Sequence, residues 1–388
     1  MSFKPTAVLS GLLHAVFFCA AAAPAADIVS EDFTFTSSLD NTGPLFAAAV
    51  YKKDAQKLPL MVVQHGYGGN RGNVAFSARR MAARGYFCVC IDTRGNGGSA
   101  GKQDDGGIEI MDIYDGIQAA TQKYGDKLDL AKASIVGYSN GGGNVFFATM
   151  RFPWLFRASM SFFGIPDYGM WNAGGGTYGV TAAVGGKVKD VPDKYLVRNS
   201  TLAAGNLCGT HFHTVYDSAE TICPVPMQEK FIDAVKKVNY PALLVHLSKP
   251  GDATRWTHGY NSGHLNAAED LFMDDIEKIK TPLPAMKNSG QLTVLGFILT
   301  PRFKCFLGKG DDAAANVKYD FSSGIAKFAF TPLTSDPKAK AVITLLPDSA
   351  DKDWEIWING ARTAAIGKGE PLRAEATLGA VLEFRLKK

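Results

Sequence analysis

The sequence predicts an α/β domain built on a mostly parallel sheet, followed by a smaller β-rich domain, and three observations carry that reading. Over residues 58–277 short apolar runs alternate with amphipathic ones. After Pro282-Leu283-Pro284 the helical periodicity gives way to short alternating segments. Between them, Gly137-Tyr138-Ser139-Asn140-Gly141 sets a serine between glycines where an apolar run meets a helix-forming one. At 388 residues and 46% hydrophobic, the chain exceeds the roughly 250–300 residues at which single cores stop growing. Two folded units are therefore expected, 27–284 and 285–388.

The first 26 residues read as a signal peptide. Lys4 is their one charge, the apolar run 7–23 is short for a membrane span, and Ala23-Pro24-Ala25 offers small residues for cleavage. No other stretch reaches membrane length, so export to the periplasm or medium is expected, with no membrane partner after cleavage. The net charge of +4 is small and spread along the chain, which argues against a nucleic-acid partner. Of the five cysteines beyond the signal, Cys88 and Cys90 share one strand face and read as buried thiols. Cys208 and Cys223 bracket a strand and a turn, where a disulfide and two free thiols are both open readings.

In the first domain the runs 60–63, 86–91, 134–136, 158–163, 211–215 and 242–247 read as strands buried on both sides. Ile110, Ile113, Tyr114 and Ile117 fall on one helix face, as do Met227, Phe231, Ala234, Val235 and Val238. Such alternation marks a parallel sheet with helices on both faces. The stretch 169–206 breaks the rhythm, is rich in glycine and carries Trp171, Tyr178 and Tyr195. It reads as an irregular insertion that either caps a pocket or lies on the surface. In the second domain the runs 291–298, 326–330, 341–346, 355–357 and 381–386 read as strands, with Asn359-Gly360 as a hairpin turn. A small sandwich packed on the first domain is expected.

The chemistry is carried by the serine. Acyl transfer needs a nucleophile, a base, an acid that orients the base, and donors for the oxyanion. Ser139 on its strand-to-helix turn is the candidate nucleophile. His264, in Asn261-Ser262-Gly263-His264, is the preferred base, and His258 on the same loop is its rival. His211 and His213 share a strand face near Cys208 and Cys223, but their spacing fits no common zinc pattern. Asp217 and Glu220 both follow the strand 211–215 and compete as the acid. Oxyanion donors are assigned to the N–H groups of Tyr67, in His65-Gly66-Tyr67-Gly68-Gly69, and of Asn140.

These motifs, with Asp92-Thr93-Arg94-Gly95-Asn96-Gly97-Gly98-Ser99 and Ser262-Gly263-His264, resemble the α/β-hydrolase superfamily over about 58–277. The likeness is nearest to its dienelactone-hydrolase-like and prolyl-oligopeptidase-like branches. The resemblance implies an acid four residues before a proline, and Glu220 holds that place before Pro224. A glutamate there departs from the commoner aspartate, so Asp217 stays an alternative. A serine in place of the cysteine of dienelactone hydrolases argues against that activity. The short segment before the first apolar run argues against a gated oligopeptidase.

The leading expectation is an exported serine esterase with the triad Ser139, Glu220 and His264 and no metal or organic cofactor. Its substrate would be a small-molecule or polymer ester. Trp354 and Trp357 in the second domain would suit an acylated polysaccharide. An exported serine peptidase is the second reading, and a non-catalytic binding protein on the same scaffold the third.

Overall fold

The computed structural model describes residues 27–174, 179–258, 262–322, 324–336 and 338–387. The signal-peptide expectation therefore falls on residues outside those described. Among the described residues no helix is long and apolar enough to cross a membrane.

The first sheet has eight strands: β1 (Ile28–Phe35), β2 (Leu45–Lys52), β3 (Leu58–Gln64), β4 (Phe87–Ile91), β5 (Leu128–Tyr138), β6 (Ala158–Phe162), β7 (His211–Asp217) and β8 (Leu243–Ser248). Their spatial order is β1-β2-β4-β3-β5-β6-β7-β8. The strands from β4 to β8 run parallel, while β1 and β2 are antiparallel additions at one edge. Among the described residues eight α-helices accompany them: α1 (Ala75–Ala83), α2 (Glu109–Tyr124), α3 (Asn140–Arg151), α4 (Tyr168–Ala173), α5 (Val180–Val184), α6 (Pro192–Leu196), α7 (Val225–Lys237) and α8 (Ser262–Lys278).

Alternation along the strands sorts their side chains onto two covered faces. Met61, Val63, Cys88, Cys90, Val136, Met160 and Val215 pack with Ala78 and Met81 of α1 and Phe272 and Met273 of α8. Leu60, Val62, Val89, Ile91, Ile135 and Phe212 pack on the other side with α2, α3 and α7, through Ile113, Ile117, Phe146 and Phe231. Both faces are dry, which is why the central strands read as unbroken apolar runs.

Three expectations change. Strands β1 and β2 precede the run taken as the first strand. β1 escapes the reading because its residues from Ser30 to Asp32 are exposed, leaving little apolar signal. Tyr178 of the stretch 169–206 lies outside the described residues, but the described remainder is more regular and more buried than expected. Its described part carries α5, α6, most of α4 and a 3-10 turn, and it buries Trp171, Val180, Val184 and Tyr195 in the main core. Val238 lies past the end of α7 and is exposed, so it does not belong to that helix's buried face.

The C-terminal region forms one antiparallel sheet of ten strands: β9 (Ser289–Leu295), β10 (Phe297–Leu299), β11 (Phe303–Leu307), β12 (Ala314–Asp320), β13 (Ile325–Pro332), β14 (Lys340–Ser349), β15 (Trp354–Ile358), β16 (Ala361–Ile366), β17 (Pro371–Thr377) and β18 (Val381–Leu386). Four strand steps separate β11 from β13, roughly 19 Å if flat, yet the Phe303 and Phe328 rings lie 5.0 Å apart. The sheet therefore curls until its halves face each other. The expected two-layer core exists, but a single hydrogen-bonded sheet supplies both layers. Asn359 and Gly360, both at positive φ, turn β15 into β16, as a two-residue hairpin with right-handed strand twist requires.

The two sheets share packing. Phe297 joins the main core beside Phe152, and the Arg151 guanidinium stands 4.6 Å over the Phe297 ring. Asn206 donates to the Thr293 carbonyl and accepts from its N–H.

Candidate active site

Ser139 stands at the carboxyl end of β5, with φ 56° and ψ −120°, directly before α3. A non-glycine residue at positive φ is strained by about 1–3 kcal/mol and persists only where its surroundings enforce it. Here they do. The Ser139 N–H donates to the Phe162 carbonyl (3.0 Å), and its own carbonyl accepts from Gly143 (3.0 Å). A Cβ on Gly137 would collide with the Gly141 carbonyl, and one on Gly141 would collide with the carbonyls of Gln64 and His65. Both glycines are demanded by backbone closeness, and the turn leaves Ser139 half-buried at the sheet rim.

Two other loops reach this rim. After β3, Gly66 packs against Ser139, since a Cβ there would lie 3.5 Å from Ser139 Cβ. His65, one residue earlier, is buried. Its Nδ1 lies 2.8 Å from the Gly66 carbonyl, and its Nε2 accepts from the Thr93 N–H at 3.1 Å. Burial lowers its pKa, so His65 serves as a neutral brace between the loops after β3 and β4. Asn140 is the first residue of α3 and its N–H has no acceptor within the helix. Its side chain is fixed by Tyr168, which donates to Oδ1 (2.9 Å), and by Asp105, which accepts from Nδ2 (3.1 Å). Asp105 is buried, and that burial raises its pKa to about 6. This brace behind Asn140 was not read from the sequence, and Asp105 in a polar glycine-rich loop gave no signal for it.

The imidazole beside Ser139 belongs to His258. Its Nε2 lies 2.9 Å from Ser139 Oγ, its Nδ1 lies 3.0 Å from Glu220 Oε2, and the Phe163 ring packs 4.3 Å from its centroid. The Nδ1 contact is short but off the line of a straight hydrogen bond; such contacts often straighten only around substrate. The geometry thus brings the rival base, His258, to Ser139, while the preference for His264 falls on a side chain outside those described. His264 falls in the first turn of α8. The reason lies in how the loop is pinned. The His258 N–H donates to Glu220 Oε2 (3.0 Å), so backbone and ring of this residue engage the same carboxylate.

Glu220 follows the end of β7 by three residues and is buried. Its Oε1 accepts from the N–H groups of Ile222 (2.7 Å) and Cys223 (3.3 Å). Burial opposes its ionisation, but the His258 ring and these backbone donors outweigh that and hold the carboxyl below its ordinary range. Asp217, the alternative acid, is engaged elsewhere. Arg255 grips both its oxygens at 2.7 and 2.8 Å, and Ser248 Oγ donates to Oδ2 at 2.6 Å. The Arg255 bonds hold its pKa down at about 2 against burial. Asp217 thereby ties the loop after β8 to the end of β7, three residues before His258 in the chain. Cys223 and Cys208 are both free thiols, which resolves the open disulfide question toward two thiols.

The arrangement is a hydroxyl, an imidazole and a carboxylate in sequence, next to the free N–H end of a helix. The family model described as alpha/beta hydrolase fold matches residues 59–161, which span β3 to β6 and include Ser139. A monoacylglycerol lipase from Mycolicibacterium smegmatis is 28% identical over 113 residues, covering 28% of this chain and 39% of that protein. Among solved structures, the acylaminoacyl peptidase of Pyrococcus horikoshii is similar with TM-score 0.55 at 20% identity, over 67% of this chain and 43% of its own. A putative dipeptidyl aminopeptidase IV from Bacteroides ovatus is similar with TM-score 0.54 at 18% identity, over 65% and 36%. The chain thus spans less than half the length of these relatives, and the structural likeness speaks for the fold. The parallel sheet, the elbow at its rim and the matched segment agree on one architecture, and the chain has the α/β-hydrolase fold.

Proposed function

We propose that the protein is an exported serine hydrolase of carboxylic esters, acting through Ser139, His258 and Glu220. The single observation that carries this reading is the continuous contact from Ser139 Oγ through the His258 ring to Glu220. In the proposed reaction Ser139 Oγ attacks the ester carbonyl carbon while His258 Nε2 takes its proton. The oxyanion is met by the N–H groups of Asn140 and Tyr67, each donor of this kind being worth about 10²–10³ in rate. The imidazolium returns the proton to the departing alcohol oxygen, leaving an acyl-serine. Water, deprotonated by the same imidazole, then releases the acid. Glu220 orients the ring and stabilises its charged form.

Esters are preferred over amides because the curated relative in sequence is named as a lipase. An acylated polysaccharide is a fitting polymer substrate. Trp354 lines a cleft of about 330 Å³ with Phe321, Arg302 and Pro347, and its buried indole N–H has no acceptor among the described residues. The test is a panel of short acyl nitrophenyl esters, an acetylated polysaccharide and peptide amides, combined with fluorophosphonate labelling and peptide mapping. Ester turnover with the label on Ser139 is expected. Turnover confined to peptide amides overturns the ester assignment, and absence of label on Ser139 overturns the nucleophile.

The loop anchor gives a second expectation. Arg255→Met removes the grip on Asp217 and frees the segment that carries His258. Misplacing a catalytic group by about 1 Å costs on the order of 10² in rate, so kcat/KM on a short ester should fall by about that much. The measurement is steady-state kinetics alongside thermal unfolding. A full loss of rate with an unchanged midpoint marks a positioning effect, and an unchanged rate removes Arg255 from that role.

A further inference from the structure

On the sheet face beneath α8, away from Ser139, two histidines meet. His213 on β7 and His246 on β8 point to the same side, because Val215 pairs with His246 and His213 lies two residues before it. Their rings are nearly parallel at 9°, with centroids 5.2 Å apart, and His213 Nδ1 stands 3.0 Å from His246 Nε2. Asp275 of α8 completes the group, one ligand atom from each residue lying within 4.8 Å of the others. The sequence reading weighed His213 with His211 and the cysteines. It missed His246 because that contact arises only when β8 pairs with β7.

We propose that His213, His246 and Asp275 form a binding site for a divalent first-row metal of zinc type. Two nitrogens on one tetrahedral zinc, each at about 2.0–2.1 Å, stand roughly 3.3–3.4 Å apart. The histidine pair needs to open by only a few tenths of an ångström. The donor set, two imidazoles and a carboxylate, is one that zinc accepts, with a fourth position left to water. Neutral imidazole is the ligating form, and the His213 ring is buried beside His246. Among the described residues the buried Nε2 of His213 has no hydrogen-bond partner, so the one polar contact holding a proton at this ring is that with His246. The shared proton between the rings can leave Nδ1 for Nε2 without breaking another bond. Access is open, because β8 is the edge strand and His246 and Asp275 are half-buried. Asp275 is meanwhile paired with Lys278 at 2.9 Å, a partly exposed pair that a metal would displace, since such pairs contribute little.

A bound metal would tie the edge strand to α8. It would also sit behind Trp256, whose ring is 6.4 Å from His246 and which precedes His258 by two residues. The experiment uses the full chain stripped with a chelator and titrated with Zn²⁺ by calorimetry and with Co²⁺ by visible absorption. One equivalent per chain is expected, with tetrahedral cobalt bands and a raised unfolding midpoint. Loss of an outer partner alone typically costs 10–100-fold in affinity, so His246→Ala should weaken Zn²⁺ by more than ~100-fold. Asp275→Asn, at a half-buried helix position that will not endanger folding, should weaken it by at least ~10-fold, while His211→Ala should leave it unchanged. No saturable binding, or binding equally tight in His246→Ala and Asp275→Asn, overturns the proposal.

Discussion

His258→Ala is expected to lower kcat/KM on a short acyl ester by roughly 10⁴–10⁶-fold, the range seen when the base of a serine triad is removed, while His264→Ala leaves it near wild type. Both histidines sit near the same loop and only one can remove the Ser139 proton, so the pair of variants separates them directly. The geometry favours His258 on three counts. Its Nε2 is within hydrogen-bond distance of Ser139 Oγ, its Nδ1 is 3.0 Å from Glu220, and its N–H is held by the same carboxylate. The loss should appear in kcat and kcat/KM alike, because the interaction belongs to the transition state. His258 is partly exposed and its ring packs on Phe163 near the rim of the sheet, so the unfolding midpoint should move little. The reverse pattern, with His264→Ala inactive and His258→Ala active, would transfer the role to His264.

What the chain discloses about this site follows the range of the forces involved. The turn around Ser139 is legible because its causes are local: glycines at Gly137 and Gly141 answer to backbone atoms a few residues away or on the next strand. The central strands are legible because both their faces are dry. The choice of imidazole is not local. It depends on Arg255 reaching back to Asp217, and on Glu220 accepting from the His258 backbone, contacts that span 38 residues in each case. No periodicity or spacing encodes them. Glycine and serine before His264 imitated the flexible approach that a catalytic histidine needs, and the anchored segment before His258 carried no comparable mark. The same holds for His213 and His246, which are 33 residues apart and become neighbours only through strand pairing. In the C-terminal sheet, individual strands show in the alternation, whereas the curl that brings Phe303 onto Phe328 is a property of the accumulated twist of many strands.

Ser139→Ala is expected to cost about 10⁶-fold in kcat on the same ester, and the double variant Ser139→Ala/His258→Ala should be no slower than either single one. The reason is that the two residues act as a unit. Once Oγ is gone, the imidazole has no proton to remove, and once the imidazole is gone, Oγ is a neutral hydroxyl of negligible nucleophilicity at neutral pH. Additive losses would mean that the residues contribute independently, which a proton transfer across 2.9 Å does not permit. Whatever rate survives in all three variants should be similar, because it would come from the N–H groups of Asn140 and Tyr67 and from substrate binding, typically 10³–10⁴-fold over water. Asn140→Asp is a poor probe of those donors, since it alters the brace formed with Tyr168 and Asp105 while leaving the N–H itself in place. The single-turnover burst is the sharper readout: wild type should release one equivalent of alcohol before the steady state if deacylation is slow, and Ser139→Ala none. A burst of the same size in Ser139→Ala would place the acyl group on another side chain and end the role assigned to this serine.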